Sequence, residues 1–156
     1  MMRVGLGFDV HRFADDDRRL VLGGVVFAGA RGLHGHSDAD VIAHACADAL
    51  LGAAGLGDIG EHFPDTDPRW RDADSLALLG EVAAMVRAAG WDVANVDCSA
   101  VCDEPKLAPQ RAAMQEGLSA AVGAPVTVKG KRPEGVGALG RGEGIACWAV
   151  ALVERT

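Results

Sequence analysis

The sequence predicts an α+β sandwich, in which helices pack on one face of a mixed β-sheet. Three observations favour this class. Strand patterns alternate with helical patterns along the chain, small residues dominate the apolar set, and no linker or internal repeat is visible. The 156 residues suit a single domain, so we expect one domain over residues 1–156. Aromatic residues make up only 4% of the chain, so the core must consist mainly of Ala, Val and Leu.

Two strands are predicted at the start of the chain. Residues 2–9 show a residue-by-residue alternation of side-chain character, which is typical of a strand with one buried face. Residues 20–27 form a second strand, in which Gly23 and Gly24 mark a bulge or a bend. The chain is therefore expected to begin with two sheet elements.

The first helix is predicted from its capping residues. Ser37, with Asp40 three residues later, resembles a capping box in which Asp replaces Glu. This pattern predicts a helix over residues 38–54, which Gly55 ends. Residues 57–67 then carry four carboxylates among glycine, phenylalanine and proline, which indicates either a ligand-binding loop or a solvated acidic loop.

The second half of the chain continues the alternation. Apolar residues at helical spacing predict two helices, and alternating residues predict three strands. The helices are predicted over residues 72–89 and 107–122, and the strands over residues 93–101, 125–129 and 145–153. A glycine-rich loop, residues 130–144, separates the last two strands. Because helices would cover only one face of the sheet, we expect self-association to cover the other.

The composition narrows the class of protein. The net charge of −7 argues against a nucleic-acid partner. No apolar run is long enough to span a bilayer, and the first residues lack the pattern of a signal peptide, so we expect a cytoplasmic protein with no membrane partner. The four cysteines are scattered without a C-x-x-C pair, which favours reduced, buried thiols.

The most informative residues are Asp9, His11 and His44. Asp9 and His11 are two apart in an extended segment, so their side chains point to the same face. A third ligand from the first helix would complete a zinc site with one open position, which is the form of a working site. The alternative is a solvated strand end beside a hydrated helix surface. Asp40 and Asp48 lie four residues either side of His44, so we expect one of them to orient its ring.

Candidate phosphate-binding groups occur in three places. His36 lies beside the predicted helix N-terminus, where backbone N–H groups favour an anion. Lys106 follows a proline that stiffens the backbone, and it offers a point positive charge. Four cations lie in or next to the glycine-rich loop: Lys129, Lys131, Arg132 and Arg141. For each place the alternative is ordinary polar surface.

Five motifs together resemble the 2-C-methyl-D-erythritol 2,4-cyclodiphosphate synthase family. In order they are G-x-G-F-D-V-H, H-S-D-A-D-V-x-x-H-A, G-D-I-G-x-x-F-P-D-T-D, P-K-L-A-P and G-R-G-E-G-I-A-C. The resemblance covers essentially the whole chain. It implies an enzyme of the non-mevalonate isoprenoid route, which converts 4-diphosphocytidyl-2-C-methyl-D-erythritol 2-phosphate into a cyclic diphosphate and CMP.

The resemblance also implies roles for the matching residues. Zinc would bind Asp9, His11 and His44, with a substrate phosphate oxygen as fourth ligand, and Glu134 would hold a second ion, magnesium or manganese. The family is a homotrimer with active sites at subunit interfaces. Among the other implied substrate contacts, His36 and Ser37 would contact phosphate and polyol. The erythritol would contact Asp58, Ile59, Gly60 and residues 63–67 (among them Phe63, Asp65 and Asp67). The cytidine diphosphate would contact residues 102–108 (among them Cys102, Lys106 and Ala108), and Arg141 would contact phosphate.

The chain departs from the family in the glycine-rich loop. The family reads T-T-T-E where this chain reads K-R-P-E, so Arg132 matches a threonine that polarises a phosphate, and Ala138 matches a phenylalanine. We expect Arg132 and His36 to contribute to catalysis by intramolecular phosphoryl transfer. Two alternatives remain open: a metal-dependent phosphohydrolase that uses water, and a zinc-stabilised trimer that binds isoprenoid diphosphates and has lost its activity.

Overall fold

The computed structural model describes residues 1–155, so Thr156, the last residue of the predicted domain, lies outside the described residues. It confirms the α+β class, with a mixed sheet and helices on one face. The strands are β1 (Met2–Arg12), β2 (Leu20–Leu22), β3 (Val25–Phe27), β4 (Asp92–Val101), β5 (Val126–Lys131) and β6 (Gly144–Glu154). The helices are α1 (Val41–Ala54), α2 (Ile59–His62), α3 (Ser75–Ala88), α4 (Arg111–Val122) and α5 (Gly137–Gly140).

The main sheet of the described chain has four strands in the order β1-β6-β4-β5. β6 runs antiparallel to both neighbours, whereas β4 and β5 are parallel. β1 and β6 pair over their whole length, with Asp9 opposite Cys147 and His11 opposite Ile145. β2 and β3 form a separate two-stranded hairpin.

Helix α1 packs directly on strand β1 because both surfaces carry small residues. A Cβ atom added at Gly7 would lie 2.0 Å from the carbonyl oxygen of Ala45, and one at Gly5 would lie 2.0 Å from that of Ala49. No side chain larger than hydrogen fits at either position. This close contact brings His44 of α1 beside the end of β1.

Within residues 1–155, the opposite face of β1 and β6 carries no helix, and it is apolar. Phe8 and Trp148 lie side by side there, with ring centroids 4.9 Å apart. A contiguous apolar patch of this kind marks an interaction surface. Six side chains on it have 42% to 68% of their area exposed: Val4, Leu6, Phe8, Val10, Trp148 and Val150.

The start of α1 corrects the predicted capping box. The helix begins at Val41, and Asp40 is its N-cap, with a side chain that accepts a hydrogen bond from the backbone N–H of Ala43. Ala39 has a φ of 57°, a left-handed conformation that no helix contains, so the helix cannot extend back to residue 38. The prediction that Ser37 opens the helix was therefore wrong.

The strand predicted over residues 20–27 is in fact the β2–β3 hairpin. Gly23 and Gly24 both have positive φ, 57° and 75°, as a tight two-residue hairpin turn requires. Asp40 accepts hydrogen bonds from both of their N–H groups, at 2.9 and 2.7 Å, and so ties the hairpin to α1. Asp40 is fully buried, and this burial raises its pKa to about 6 even though the backbone donors favour the ionised form.

Other predicted bounds shift for local reasons. The helix predicted from residue 72 begins at Ser75, because Asp72 is left-handed (φ 56°) and Asp74 caps the helix. Short helices also form inside both predicted loops, α2 within residues 57–67 and α5 within residues 130–144. The four cysteines are free and buried, as predicted. Among the described helices, none has the length and apolar character needed to cross a membrane.

Candidate active site

Asp9, His11 and His44 converge as the sequence predicted, and we call them the triad. Oδ2 of Asp9 lies 2.9 Å from Nε2 of His11 and 3.0 Å from Nδ1 of His44. One ligand atom from each residue lies within 4.8 Å of the others, and all three side chains are partly buried. Among the described residues, no other group of three potential ligands comes together in this way.

The ring of His11 is fixed by the backbone of the segment that faces it. Its Nδ1 lies 2.7 Å from the carbonyl oxygen of His34. A carbonyl can only accept, so Nδ1 carries the hydrogen, and in the neutral ring Nε2 has a free lone pair. Nε2 is buried and has no hydrogen-bond partner within residues 1–155, although Asp9 is close. That lone pair therefore faces the centre of the triad.

The ring of His44 is fixed by Ser75 at the start of α3. Its Nε2 lies 2.7 Å from Oγ of Ser75, whose hydroxyl donates to the carboxylate of Asp38. Because the serine proton is used on Asp38, Oγ must accept the hydrogen from Nε2 of His44. Nδ1 is then the nitrogen with the lone pair, and it points at Asp9.

The prediction that Asp40 or Asp48 orients His44 was wrong. Asp40 is committed to the backbone of the hairpin and of α1. Asp48 lies one turn further along the helix, where its carboxylate accepts from the backbone N–H of Ile59 at 3.4 Å. The orienting side chain, Ser75, lies 31 residues from His44 in sequence, so helical spacing gives no signal for it.

The charges and donor atoms of the triad would suit a cation. Burial alone would raise the pKa of Asp9, but its interactions with His11 and His44 outweigh burial and lower the pKa to about 2. Burial likewise opposes charging of His11, but the neighbouring Asp9 raises the pKa of that ring. With neutral rings, two lone pairs and a carboxylate oxygen face one another with no proton between them. A divalent ion with N and O ligands, such as zinc, fits this donor set.

A cavity of about 520 Å³ opens beside the triad, and we call it the triad cavity. Seven of the predicted phosphate, polyol and erythritol contacts line it: His36, Ser37, Ile59, Gly60, Phe63, Pro64 and Asp65. Trp70 also lines it, with its ring at a right angle to that of Phe63 and 4.9 Å away, although the sequence reasoning did not identify it. The lining residues are His11, His34, Gly35, His36, Ser37, His44, Ile59, Gly60, Phe63, Pro64, Asp65, Trp70 and Leu78.

Asp58 and Asp67 shape this cavity without lining it. The carboxylate of Asp58 caps α2 by accepting from the N–H of Glu61. Asp67 accepts a hydrogen bond from Nε2 of His36 through its carbonyl oxygen, at 3.0 Å. Its carboxylate pairs with Arg69, an interaction that lowers the pKa of Asp67.

A second cavity, of about 580 Å³, lies among surface turns, and we call it the basic cavity. Of the predicted contacts it contains residues 102–107, among them Cys102 and Lys106, and Arg132. Nη2 of Arg132 lies 3.8 Å from Oδ1 of Asp103. Burial raises the pKa of the Cys102 thiol to about 11, so this residue is a neutral part of the wall. The lining residues are Phe13, Ala28, Gly29, Ala30, Arg31, Cys102, Asp103, Glu104, Pro105, Lys106, Leu107, Gly130, Lys131, Arg132 and Gly142.

Besides Asp9, Asp58 and Asp67, three predicted site residues line neither cavity in the described chain. Ala108 begins the short 3-10 turn before α4. Glu134 is exposed and has a left-handed backbone, with a φ of 54°. Arg141 is exposed and pairs with Glu143, with Nε 2.6 Å from the carboxylate. Lys129, a cation that the sequence grouped with the glycine-rich loop, instead pairs with Asp97 on the sheet.

Comparisons with known proteins agree with this geometry. Residues 2–154 match the YgbB family. The chain is 57% identical over 158 residues to the 2-C-methyl-D-erythritol 2,4-cyclodiphosphate synthase of Rubrobacter xylanophilus, an alignment that covers 98% of this chain and 95% of that protein.

Solved structures share the fold. The bifunctional IspDF from Campylobacter jejuni superimposes with a TM-score of 0.95 at 39% identity, and the match covers all of this chain but only 43% of that protein. A 2C-methyl-D-erythritol-2,4-cyclodiphosphate synthase in its CDP-bound form gives a TM-score of 0.87 at 38% identity, covering 97% of this chain and 100% of that one. The chain, with its triad on β1 and α1, therefore belongs to the YgbB family.

Proposed function

We propose that this protein is a 2-C-methyl-D-erythritol 2,4-cyclodiphosphate synthase. It converts 4-diphosphocytidyl-2-C-methyl-D-erythritol 2-phosphate into the cyclic diphosphate and CMP, for isoprenoid precursor synthesis in the cytoplasm, with residues 1–156 as one domain. The observation that carries the proposal is the convergence of Oδ2 of Asp9, Nε2 of His11 and Nδ1 of His44 beside a cavity. The names of the relatives support the choice of substrate.

The two cavities suit the two halves of this substrate. The triad cavity would hold the methylerythritol and its phosphate groups, against His36 and Ser37. The basic cavity would hold the cytidine diphosphate, because its wall carries more cations than carboxylates in a chain whose net charge is −7. Arg132 and Lys106 would contact the phosphates there, with charge-assisted hydrogen bonds from Arg132 replacing those of the family threonine.

A homotrimer would join the two cavities. Within residues 1–155 the triad cavity and the basic cavity share no lining residue, so one chain presents two separate half-sites. The exposed apolar face of β1 and β6 offers the surface through which subunits would associate. We therefore place each active site at a subunit interface, between the triad cavity of one subunit and the basic cavity of its neighbour.

The reaction is an intramolecular phosphoryl transfer. An oxygen of the 2-phosphate attacks the β-phosphorus and forms a new P–O bond, while the bond from that phosphorus to the α-phosphate oxygen breaks and CMP leaves with the electron pair. The attacking phosphate is already ionised near neutral pH, so a protein base has little to do. Holding the substrate in line accounts for roughly 7–11 kcal/mol of the barrier in favourable systems.

The residues of the chain then act by position and charge. A zinc ion on the triad, together with magnesium or manganese on Glu134, would supply Lewis-acid stabilisation of the phosphate oxygens. His36 is held at the cavity wall by its bond to the carbonyl oxygen of Asp67, which supports a role in contacting a phosphate. Arg141 would contact a phosphate after leaving Glu143.

Product analysis by phosphorus NMR tests the proposal. The protein is incubated with the substrate and divalent ions, and we expect the cyclic diphosphate and CMP as the products. A linear phosphate product would instead identify a metal-dependent phosphohydrolase that uses water. Binding of isoprenoid diphosphates without turnover would identify an inactive trimer.

A further inference from the structure

The segment from His34 to Ser37 contacts both histidines of the triad, although it has no regular secondary structure. The carbonyl oxygen of His34 accepts from His11 at 2.7 Å, and Oγ of Ser37 lies 3.3 Å from Nε2 of His44. The ring of His36 lines the triad cavity between these two contacts. An irregular segment keeps such a shape only if other groups hold its backbone.

One side chain, Arg18, holds this backbone from outside the cavity. Its Nη1 donates to the carbonyl oxygen of Gly35 at 2.9 Å, and its Nη2 donates to that of Ser37 at 2.7 Å. The two carbonyls flank His36, so one rigid planar group fixes the backbone on both sides of that residue. A guanidinium suits this geometry because its donors form a fixed fork, whereas an ammonium is a single point.

The surroundings of Arg18 favour a geometric role over a charge pair. Within the described chain it has no carboxylate partner in an ion pair, and its two terminal nitrogens both donate to backbone carbonyls. The segment also comes close to the triad: a Cβ added at Gly35 would lie 3.2 Å from Cε1 of His11. Gly32 leaves room for the arginine, because a Cβ there would lie 2.6 Å from Cγ of Arg18.

We infer that Arg18 is a positioning residue, which acts through the His34–Ser37 segment to orient His11 for metal binding and His36 for substrate. The inference deepens the proposed function and rests on it. Partners of metal-binding histidines, such as the carbonyl oxygen of His34, typically change metal affinity by about 10- to 100-fold when they are lost. Loss of Arg18 is expected to approach the lower end of that range, because it acts one step further out.

The experiment uses the full-length protein with three variants: Arg18→Ala, Arg18→Lys and the matched control Arg19→Ala. Arg19 is the adjacent arginine, and its exposed side chain makes no hydrogen bond or ion pair in the part of the chain that the structure describes. The first readout is the affinity for zinc or cobalt, measured without substrate by competition with a chelating dye. The second is kcat and KM for CMP release at saturating metal.

We expect Arg18→Ala to lower metal affinity about tenfold, and to lower kcat even when metal is saturating, because His36 is displaced too. Arg18→Lys can reach only one of the two carbonyls, so it should recover part of each loss. Arg19→Ala should match the wild type. If Arg18→Ala does not fold, the lysine variant decides by the same measurements.

The inference is overturned if the Arg18 variants bind metal and turn over substrate like the wild type. It is also overturned if Arg18→Lys is fully active while Arg18→Ala is impaired, since charge alone would then suffice. Because metal affinity is measured without substrate, a failure of the proposed reaction can be distinguished from a failure of the positioning role of Arg18. In that case the wild type would bind metal and Arg18→Ala would bind it more weakly, but neither protein would form the cyclic product.

Discussion

The triad cavity and the basic cavity are built in different ways. The triad lies on a strand and a helix that are locked together by backbone contact at Gly5 and Gly7, and each ring has a fixed partner outside the metal position. The basic cavity is formed by surface turns, and its cations are exposed, with Arg132 held only by a 3.8 Å approach to Asp103.

Substitutions should therefore be tolerated better in the basic cavity than at the triad. Metal coordination fails when a ligand atom moves by a fraction of an ångström, so its ligands sit on packed elements. Phosphate charge can be neutralised from several directions, so surface turns suffice for it. The residues that depart from the family pattern are 131–133 and 138, of which Lys131 and Arg132 line the basic cavity, whereas the family motif at the triad is kept.

The largest effect should follow loss of a triad ligand. We expect His44→Ala to lower CMP release by about 10³-fold, because the charge stabilisation that a metal supplies is worth several kcal/mol and each 1.4 kcal/mol is a factor of ten. His62→Ala is the control, since His62 bonds to the carbonyl oxygen of Leu56 and lies outside the triad. Wild-type turnover by His44→Ala with added zinc would contradict the ligand role.

The next effect should come from the contact between strand and helix. Gly7→Ala would place a methyl group 2.0 Å from the carbonyl oxygen of Ala45, so α1 must move away from β1. We expect a loss of about 3 kcal/mol in the free energy of unfolding, together with weaker metal binding. The matched control is Gly52→Ala within α1, where the nearest atom would be 4.0 Å away. Helix propensity makes that control neutral or stabilising by up to about 1 kcal/mol. Urea denaturation measures both variants, and equal stability would contradict the packing argument.

A third effect should appear in the pH dependence of stability, to which two carboxylates contribute with opposite signs. The pKa of Asp40 is raised from 3.8 to about 6 by burial, so its contribution to stability is full below about pH 3.8 and is lost as pH rises through about 6. The pKa of Asp9 is lowered to about 2, so its contribution is present above about pH 3.8 and is lost as pH falls toward 2.

For Asp40 the linkage is worth roughly 2 kcal/mol between about pH 4 and pH 7. Urea denaturation of the metal-free wild type and of Asp40→Asn across this pH range isolates the contribution of Asp40 to the free energy of unfolding. The variant should lose this component of the pH dependence and should also be less stable at low pH, because an amide NH₂ group would face a glycine N–H. An unchanged pH slope in the variant would show that Asp40 does not titrate there.

The smallest effect should arise in the basic cavity. We expect Arg132→Ala to lower kcat/KM about tenfold, which corresponds to the loss of one hydrogen bond from a charged group in a largely exposed position. Arg132→Thr, which restores the family residue, should lose less. Lys129→Ala is the control, because Lys129 pairs with Asp97 outside this cavity. A loss as large as that of His44→Ala would mean that the two cavities do not differ in tolerance.

Local patterns in the sequence were enough to predict much of the fold. The alternation in β1 and the spacing of Asp9 and His11 depend only on neighbouring residues, and the structure confirms both. The capping box failed because the left-handed backbone of Ala39 carries no clear sequence signal in a residue other than glycine. The sequence predicts only a bulge or a bend at Gly23 and Gly24, because one apolar run covers both strands of the hairpin.

The parts of the site that escaped prediction depend on contacts between distant residues. Ser75 reaches His44 across 31 positions, and Arg18 reaches Ser37 across 19, so no spacing rule connects them. Asp40 satisfied the spacing for orienting His44, yet it caps the helix, and its carboxylate is used on backbone donors. The family resemblance implies the metal-binding role of the triad, but the positions of the protons on its two rings follow only from the folded structure.

Anomalous diffraction at the zinc edge, from crystals grown with zinc and cytidine diphosphate, tests the central claim most directly. We predict a zinc peak at roughly 2.0–2.2 Å from Nε2 of His11, Nδ1 of His44 and Oδ2 of Asp9, with a phosphate oxygen as the fourth ligand. Zinc bound elsewhere while the triad side chains point apart, or a diphosphate that stays remote from a zinc-loaded triad, would contradict the account.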